Sequence, residues 1–508
     1  MTRIGLALVL ASACSARSLP DTGTPTMPDA NAPSDAASDA SARDAGAADA
    51  GTSDPFADWR RAPIYELYPR HFSDAGNFSG VQAQLPRLRA LGIGIIWLLP
   101  VNEIGSIVPA NGGQATDAPW GNPYAVKSYE RVNVEYGSDG GEAGAEDDLR
   151  ALVSAAHALG MHVLLDWVPN HTAWDNALVT TNPDWYVRVN GVIQPVSGFP
   201  WVAQLDWSNQ ELRAYMIQTM VSWVQRFDLD GFRIDYAHGM PLDFFGQLRP
   251  ALESVKPVFL LAEAGDVSFH PTFDLTYDWN VYPLLGDVAA GTQPVTAIDD
   301  ALLNTQLIPY APMPTAQVMR MTYNHDDNGD FTLQARYGGG IRTFAVLACT
   351  LPGKPMVFDG QEAGMLVFDG QTVQQSIPLG HDPAVKLVWN DPDGYGPFYT
   401  KLLQLFRANT ALRHDGMADF RKIDTSPADP PYAFLRRDGA NAVLVVLNLS
   451  GTDQPSVVLA PTANAGSYDG TYVELFAGTT QSLAAGQSIH LQPWEYRVYV
   501  QGPTGLPP

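Results

Sequence analysis

From Pro63 onward, short apolar runs alternate with longer stretches in which apolar residues recur every three or four positions. The first pattern marks strands, and the second marks helices with one buried face. Strands are expected at Ile64–Tyr68, Ile95–Leu99, His162–Asp166, Gly231–Asp235, Val258–Glu263, Phe273–Tyr277, Val318–Tyr323 and Pro355–Phe358. Helices are expected at Val81–Leu91, Ala145–Leu159, Asn209–Phe227, Leu242–Val255 and Ile341–Cys349. The run Ile95-Ile96-Trp97-Leu98-Leu99 has no polar break, as in a strand buried on both faces. Strands alternating with helices imply a parallel sheet. Eight such units over roughly 350 residues suit a closed (β/α)8 barrel with loop insertions.

The alternation is interrupted once and then stops. Residues from His171 to about Leu205 are rich in Asn, Pro and Trp and read as an insertion after the third strand. After about Arg413 the pattern becomes short strands between turns: Ala433–Arg437, Ala442–Asn448, Ser456–Leu459, Thr471–Phe476 and Tyr496–Val500. Residues 414–508 are therefore expected to form a C-terminal antiparallel β-sandwich, with the barrel at 59–413.

The first residues differ from both. Met1-Thr2-Arg3, the apolar run Ile4–Ala11 and then Ser12-Ala13-Cys14 have the layout of an export signal, here taken as 1–19. Cysteine directly after small residues resembles a bacterial lipoprotein signal, with Cys14 as the lipidated residue; cleavage after Ala13 is the alternative. Residues 20–58 hold eight Asp against one Arg and little that could be buried, so they are expected to be a disordered linker. An exported protein follows, lipid-anchored in an outer membrane or cell envelope, or otherwise secreted. The other cysteine, Cys349, lies in an apolar run and reads as a buried small hydrophobe.

Across 508 residues the formal net charge is −24, which argues against nucleic-acid binding, because phosphate contacts need Lys and Arg. It also argues against docking on anionic lipid, leaving Cys14 as the only membrane link. A neutral substrate fits this balance, and a monomer is expected.

Candidate chemistry gathers where the predicted strands end. In a strand, residues i and i+2 point the same way. Arg233 and Asp235 therefore share a side, and Arg233 is expected to hold Asp235 ionised. Other strand ends carry Asp166, Asn170, His171, Glu263, His325 and Asp326. In a parallel barrel all of them fall on the functional rim. No close His or Cys spacing for zinc, no G-x-S-x-G and no phosphate loop occurs. Carboxylates flanking a sugar bond are the chemistry that fits best.

These residues form a set. Asp166-Trp167-Val168-Pro169-Asn170-His171 has the form D-x-x-x-N-H, and Gly231-Phe232-Arg233-Ile234-Asp235, Glu263 and Asn324-His325-Asp326 follow in order. Gln204-Leu205-Asp206 and Gly353–Glu362 add two shorter matches. In these segments the chain resembles the alpha-amylase family, glycoside hydrolase family 13. The resemblance implies a retaining hydrolase of α-glucosidic bonds in starch-type glucans or malto-oligosaccharides. It makes Asp235 the nucleophile, Glu263 the acid/base and Asp326 the third catalytic carboxylate. Tyr124, His171, Arg233 and His325 become substrate-binding residues, Tyr124 by stacking on the sugar. Asp166 and Asn170 become structural neighbours of the site. Asn170 is also a candidate ligand for a structural calcium, and no organic cofactor is implied.

The chain departs from the family pattern at several positions. His238 and Gly239 stand where many members read Lys-His, which argues against a simple starch endo-amylase. Gly265 stands where a tryptophan is common, and Tyr236 where a small or aliphatic residue is usual. Two further readings stay open at this level. One is transglycosylation or isomerisation of small α-glucosides on the same residues. The other is a non-catalytic carbohydrate-binding protein on the same fold.

Overall fold

The computed structural model describes residues 62–106, 121–304, 317–329, 332–364, 386–387, 389–413, 420–460 and 468–506. The expected leader, Cys14 and the linker at 20–58 lie outside the described residues.

Eight strands form a closed parallel barrel. They are β1 (Ile64–Leu67), β2 (Ile95–Leu98), β3 (His162–Trp167), β4 (Gly231–Ile234), β5 (Phe259–Ala262), β6 (Leu275–Tyr277), β7 (Gln317–Arg320) and β8 (Lys354–Phe358). Each pairs with its neighbour in sequence, and β1 closes the ring against β8, with Ile64 opposite Met356. Every residue of β1, β2, β4, β5 and β8 is buried; β2 and β5 accordingly read as unbroken apolar runs, while β1, β4 and β8 bury one charged residue each, Glu66, Arg233 and Lys354. The expected strands run one to three residues too long at several ends. Those beyond the C-terminal ends, such as Asp235 and Glu263, leave the barrel to build its rim.

The helices pack outside the barrel on their apolar stripes. In α1 (Phe78–Leu91), Phe78, Val81, Leu85, Leu88 and Leu91 are buried. The Asn77 side chain accepts the Gly80 N–H at its start, and Gly92, at φ +111°, ends it. Next come α2 (Glu142–Ala158), α3 (Gln210–Phe227) and α4 (Leu242–Glu253). The Asn209 side chain caps α3 by accepting from Glu211 N and Leu212 N, satisfying donors that a helix start leaves free.

Between β2 and α2 an antiparallel pair, Asn102–Ile104 with Val126–Val132, adds to the predicted elements. The insertion after β3 folds as a small antiparallel sheet of His171–Ala173, Phe199–Gln204 and Pro195–Val196, with a hairpin at Arg188–Ile193.

Two sheets make up the C-terminal region. Asn441–Asn448 sits inside a six-stranded sheet, and Thr425–Ser426, Gln454–Leu459 and Ser488–Leu491 form a second sheet of three. Period-two alternation divides the contacts of Asn441–Asn448. Ala442, Leu444 and Val446 face the core between the sheets, while Val443, Val445 and Leu447 join the barrel core. Arg436 Nη1 donates to the Thr350 carbonyl at 3.1 Å across that seam. Cys349 is buried, as its apolar run predicts.

Candidate active site

Strands β3, β4 and β5 are neighbours, so their ends bring three carboxylates together. Arg233 pairs in register with Asp166, and Ile234 with Ala262. Asp235 and Glu263 then follow side by side. Asp235 N donates to the Trp167 carbonyl at 2.9 Å, and Glu263 N to the Ile234 carbonyl at 3.0 Å.

One guanidinium joins the three. Arg233 Nη1 lies 2.8 Å from Asp166 Oδ1 and 2.8 Å from Asp235 Oδ1, and Nη2 lies 2.9 Å from Glu263 Oε2. Arg233 is fully buried. Its guanidinium carbon lies 5.3, 5.9 and 5.7 Å from the rings of Trp97, Tyr124 and Tyr277. Arg233 and Asp235 thus share a side, as the i, i+2 spacing requires. Arg233 does not, however, hold Asp235 at an ordinary carboxylate pKa. Burial outweighs the guanidinium, and the nearby Asp166 charge adds to it, raising Asp235 to about 6. Burial likewise raises Glu263 to about 7 against the pull of Arg233, helped by the charges of Asp235 and Asp326.

Across the cavity, His325 is fixed at both nitrogens. Nδ1 pairs with Glu66 at the end of β1. Nε2 lies 2.8 Å from the Tyr124 hydroxyl and 3.2 Å from Asp326 Oδ1. Burial alone would lower the pKa of His325, but the charges of Asp326 and Glu66 outweigh it and raise it to about 10. Tyr124 stacks on this imidazole with ring centroids 5.3 Å apart and planes 10° apart. Asp326 projects exposed into the opening.

His171 lines the cavity with its ring held from within the protein. Its Nε2 donates to the Tyr124 carbonyl at 3.0 Å, and Nδ1 lies 3.3 Å from Asn170 Nδ2. Burial lowers its pKa to about 4, so the ring is neutral with both nitrogens engaged inside the protein.

Asp235, Tyr236, Glu263, Tyr124, His171, Asn170, His325 and Asp326 line one cavity of about 220 Å3. Residues Val196–Val202 of the insertion supply part of its far wall, including Phe199 and Trp201. All the expected site residues except the buried Asp166 and Arg233 therefore line it, and those two lie directly beneath. Glu66, Trp97 and Tyr277 are functional neighbours that the motifs do not reveal. A glutamate inside the apolar run Ile64-Tyr65-Glu66-Leu67 is the one signal of this kind that the sequence carries.

Residues 56–244 match the family model described as alpha amylase, catalytic domain. Alpha-amylase 2 of Dictyoglomus thermophilum is 22% identical over 82% of this chain and 70% of its own length. Alpha-amylase MalA of Haloarcula japonica is 26% identical over 80% of this chain and 57% of its own. A maltogenic alpha-amylase from Thermotoga neapolitana superposes with a TM-score of 0.73 at 25% identity, covering 88% of this chain and 99% of that one. An alpha-amylase from Lactobacillus plantarum gives 0.71 at 27% identity, covering 87% and 99%. In sequence and in fold the chain is similar to members of the alpha-amylase family.

Two departures from the alpha-amylase pattern have a local structural reason. Tyr236 adopts φ +48°, and its ring lies 3.9 Å from that of His238. A side chain at Gly239 would put a Cβ 2.6 Å from the Tyr236 ring and 3.0 Å from Asn170 Oδ1. Glycine at 239 is thus the partner of tyrosine at 236.

The calcium expected at Asn170 needs six to eight oxygen ligands, with carboxylates among them. The Asn170 carbonyl accepts from Leu205 N, and its side-chain amide nitrogen faces His171. Among the described residues, the group of three His, Cys, Asp or Glu close enough to share an ion is His157, His162 and Asp230, at the opposite end of the barrel. The donors around Asn170 do not fit a calcium ion by themselves.

Proposed function

We propose that this chain hydrolyses α-glucosidic bonds of malto-oligosaccharides or starch-type glucans with retention of configuration. One observation supports the reading above the others. Asp235 and Glu263 lie side by side on the cavity wall, bonded to adjacent nitrogens of one guanidinium. Two carboxyls that close suit a double displacement. The cavity, at about 220 Å3, is smaller than the roughly 300–1,000 Å3 typical of drug-sized sites, so it suits a single sugar ring with the chain running outward.

In the first step an Asp235 carboxylate oxygen attacks the anomeric carbon. The glycosidic C–O bond breaks as Glu263 gives its proton to the departing oxygen. In the second, Glu263 takes a proton from water, the water oxygen attacks the same carbon, and the bond to Asp235 breaks. Arg233 keeps both carboxyls in place, and Asp326, held by His325 Nε2 at 3.2 Å, offers its negative charge to the electron-poor ring. A nucleophile near pKa 6 beside an acid near 7 puts each group in its working form around neutral pH.

The test is product chromatography and anomeric NMR on the full chain with soluble starch, maltotriose, isomaltose, sucrose and trehalose, beside Asp235→Asn. Maltose or glucose released first as the α-anomer, and lost in the variant, is the expected result. Rearranged sugars without net hydrolysis would replace the reading with a transferase or isomerase. No reaction on any substrate would replace it with a binding protein.

A further inference from the structure

Among the described residues, three aromatic side chains stand exposed: Phe199 at 39%, Tyr236 at 42% and Trp279 at 39%. Single exposed apolar residues need no explanation, but their concentration at one place marks a binding surface. Phe199 and Tyr236 line the cavity of the candidate site. Trp279 stands two residues beyond the end of β6, the next strand round the barrel from Glu263.

Its indole covers Gly265, two residues after Glu263. A Cβ built at 265 would lie 3.0 Å from Trp279 Cδ1 and 3.5 Å from its Cβ. The Trp279 ring is 4.8 Å from that of Tyr277, which in turn flanks Arg233. Trp279 thus extends the rim outward on the Glu263 side. Tyr236 borders Glu263 on its other side, where its backbone N–H donates to Oε2 at 2.6 Å. Trp279 and Tyr236 therefore border the acid rather than the His325–Asp326 wall.

The acid gives its proton to the departing oxygen, so the departing sugar lies against Glu263. Sugar rings have apolar C–H faces that pack on flat aromatic surfaces. We propose that Trp279 is the stacking platform for the sugar on the leaving-group side of the bond, with Tyr236 as its facing wall. This rests on the hydrolase reading above and adds a specificity determinant to it. Trp279 selects substrates that carry a sugar beyond the scissile bond, and it holds the departing sugar long enough to serve as an acceptor.

The experiment compares maltohexaose with α-maltosyl fluoride, whose leaving group is fluoride and carries no sugar. Full-length wild type, Trp279→Ala, Trp279→Phe and the distant surface control Val473→Ala are assayed on both. Trp279→Ala is expected to lower kcat/KM on maltohexaose about tenfold more than on the fluoride, mainly through KM. Trp279→Phe should recover most of that difference, and the control should match wild type. Equal losses on the two substrates, or no loss on maltohexaose, would overturn the assignment while leaving the hydrolase reading intact. A wild type that cleaves neither substrate would overturn both.

Discussion

The hydroxyl of Tyr124 lies 2.8 Å from Nε2 of His325, and the proton between them belongs to the histidine. A phenol has one proton, and that of Tyr124 goes to Asp166 Oδ2 at 2.9 Å. The hydroxyl must then accept from Nε2–H. With Nδ1 paired to Glu66, the ring carries both protons and a positive charge facing the cavity.

Tyr124→Phe removes this junction. Asp166 loses a donor, and His325 Nε2–H is left with Asp326 alone. A buried group deprived of its partner costs about 1–3 kcal/mol, so the melting temperature should fall. Catalysis should fall further than stability, roughly 10²-fold in kcat/KM, since the hydroxyl that links His325 to Asp166 no longer fixes the imidazolium between Glu66 and Asp326. Steady-state kinetics and thermal melting on the same preparation check both.

The pH dependence follows from the carboxyl pair. Asp235, held near 6 by burial, must be ionised to attack, and Glu263, held near 7 by burial, must be protonated to donate. The two titrate as a unit, so kcat/KM should rise through about 6, crest, and fall above about 7. An activity plateau well above pH 9 would contradict Glu263 as the acid. Because both folded-state values are raised, the stability these groups contribute is fully present below about pH 4 and is lost as pH climbs through 6 and 7.

Asp230, at the opposite end of the barrel, titrates in the other sense. Burial alone would raise it, but hydrogen bonds from His157 and His162 and the charge of Lys256 hold it well below the usual carboxylate range. His157 is raised in return, chiefly by its bond to Asp230 at 2.7 Å. Asp230 stabilises the fold above its unfolded pKa near 4, and His157 does so below its own near 6.5. Asp230→Asn should therefore cost most between about pH 4 and 6.5, on the order of 2 kcal/mol for breaking a half-buried pair. Urea midpoints measured across that range, variant against wild type, test it.

Gly231→Ala probes the seam between β4 and β5. Its Cβ would lie 1.8 Å from the Phe259 carbonyl oxygen, at φ +151°. Only a backbone shift can relieve that clash, and the shift would part Asp235 from Glu263. A loss of more than about 4 kcal/mol, seen as insoluble protein or a collapsed melting curve, is expected.

Local rules exposed part of this site in advance. The i, i+2 spacing of Arg233 and Asp235 and the buried strand runs depend only on neighbours in sequence, and they appear where expected. The charge state of Asp235 does not, because desolvation depends on what covers it. Glu66 meets His325 across 259 positions, and no local pattern carries that contact. Thr480–Leu483, a polar-rich strand of the C-terminal sheets, lacks the apolar alternation that betrays a strand, and Ser488–Leu491 alternates over only four residues, too short a run to stand out. Trp279 looks like any core aromatic until the fold shows it lying over Gly265.

The ring closes only where Ile64 meets Met356, and this has a consequence for how the molecule forms. Until β8 has emerged from the ribosome, β1 and β7 are two open edges, each a template for wrong partners. The same late event brings Glu66 to His325, because both flank that seam. Folding of so non-local a pairing is intrinsically slow. Activity should therefore appear with the last strand, and a polypeptide cut short of Lys354 should be an aggregation hazard rather than a weak enzyme.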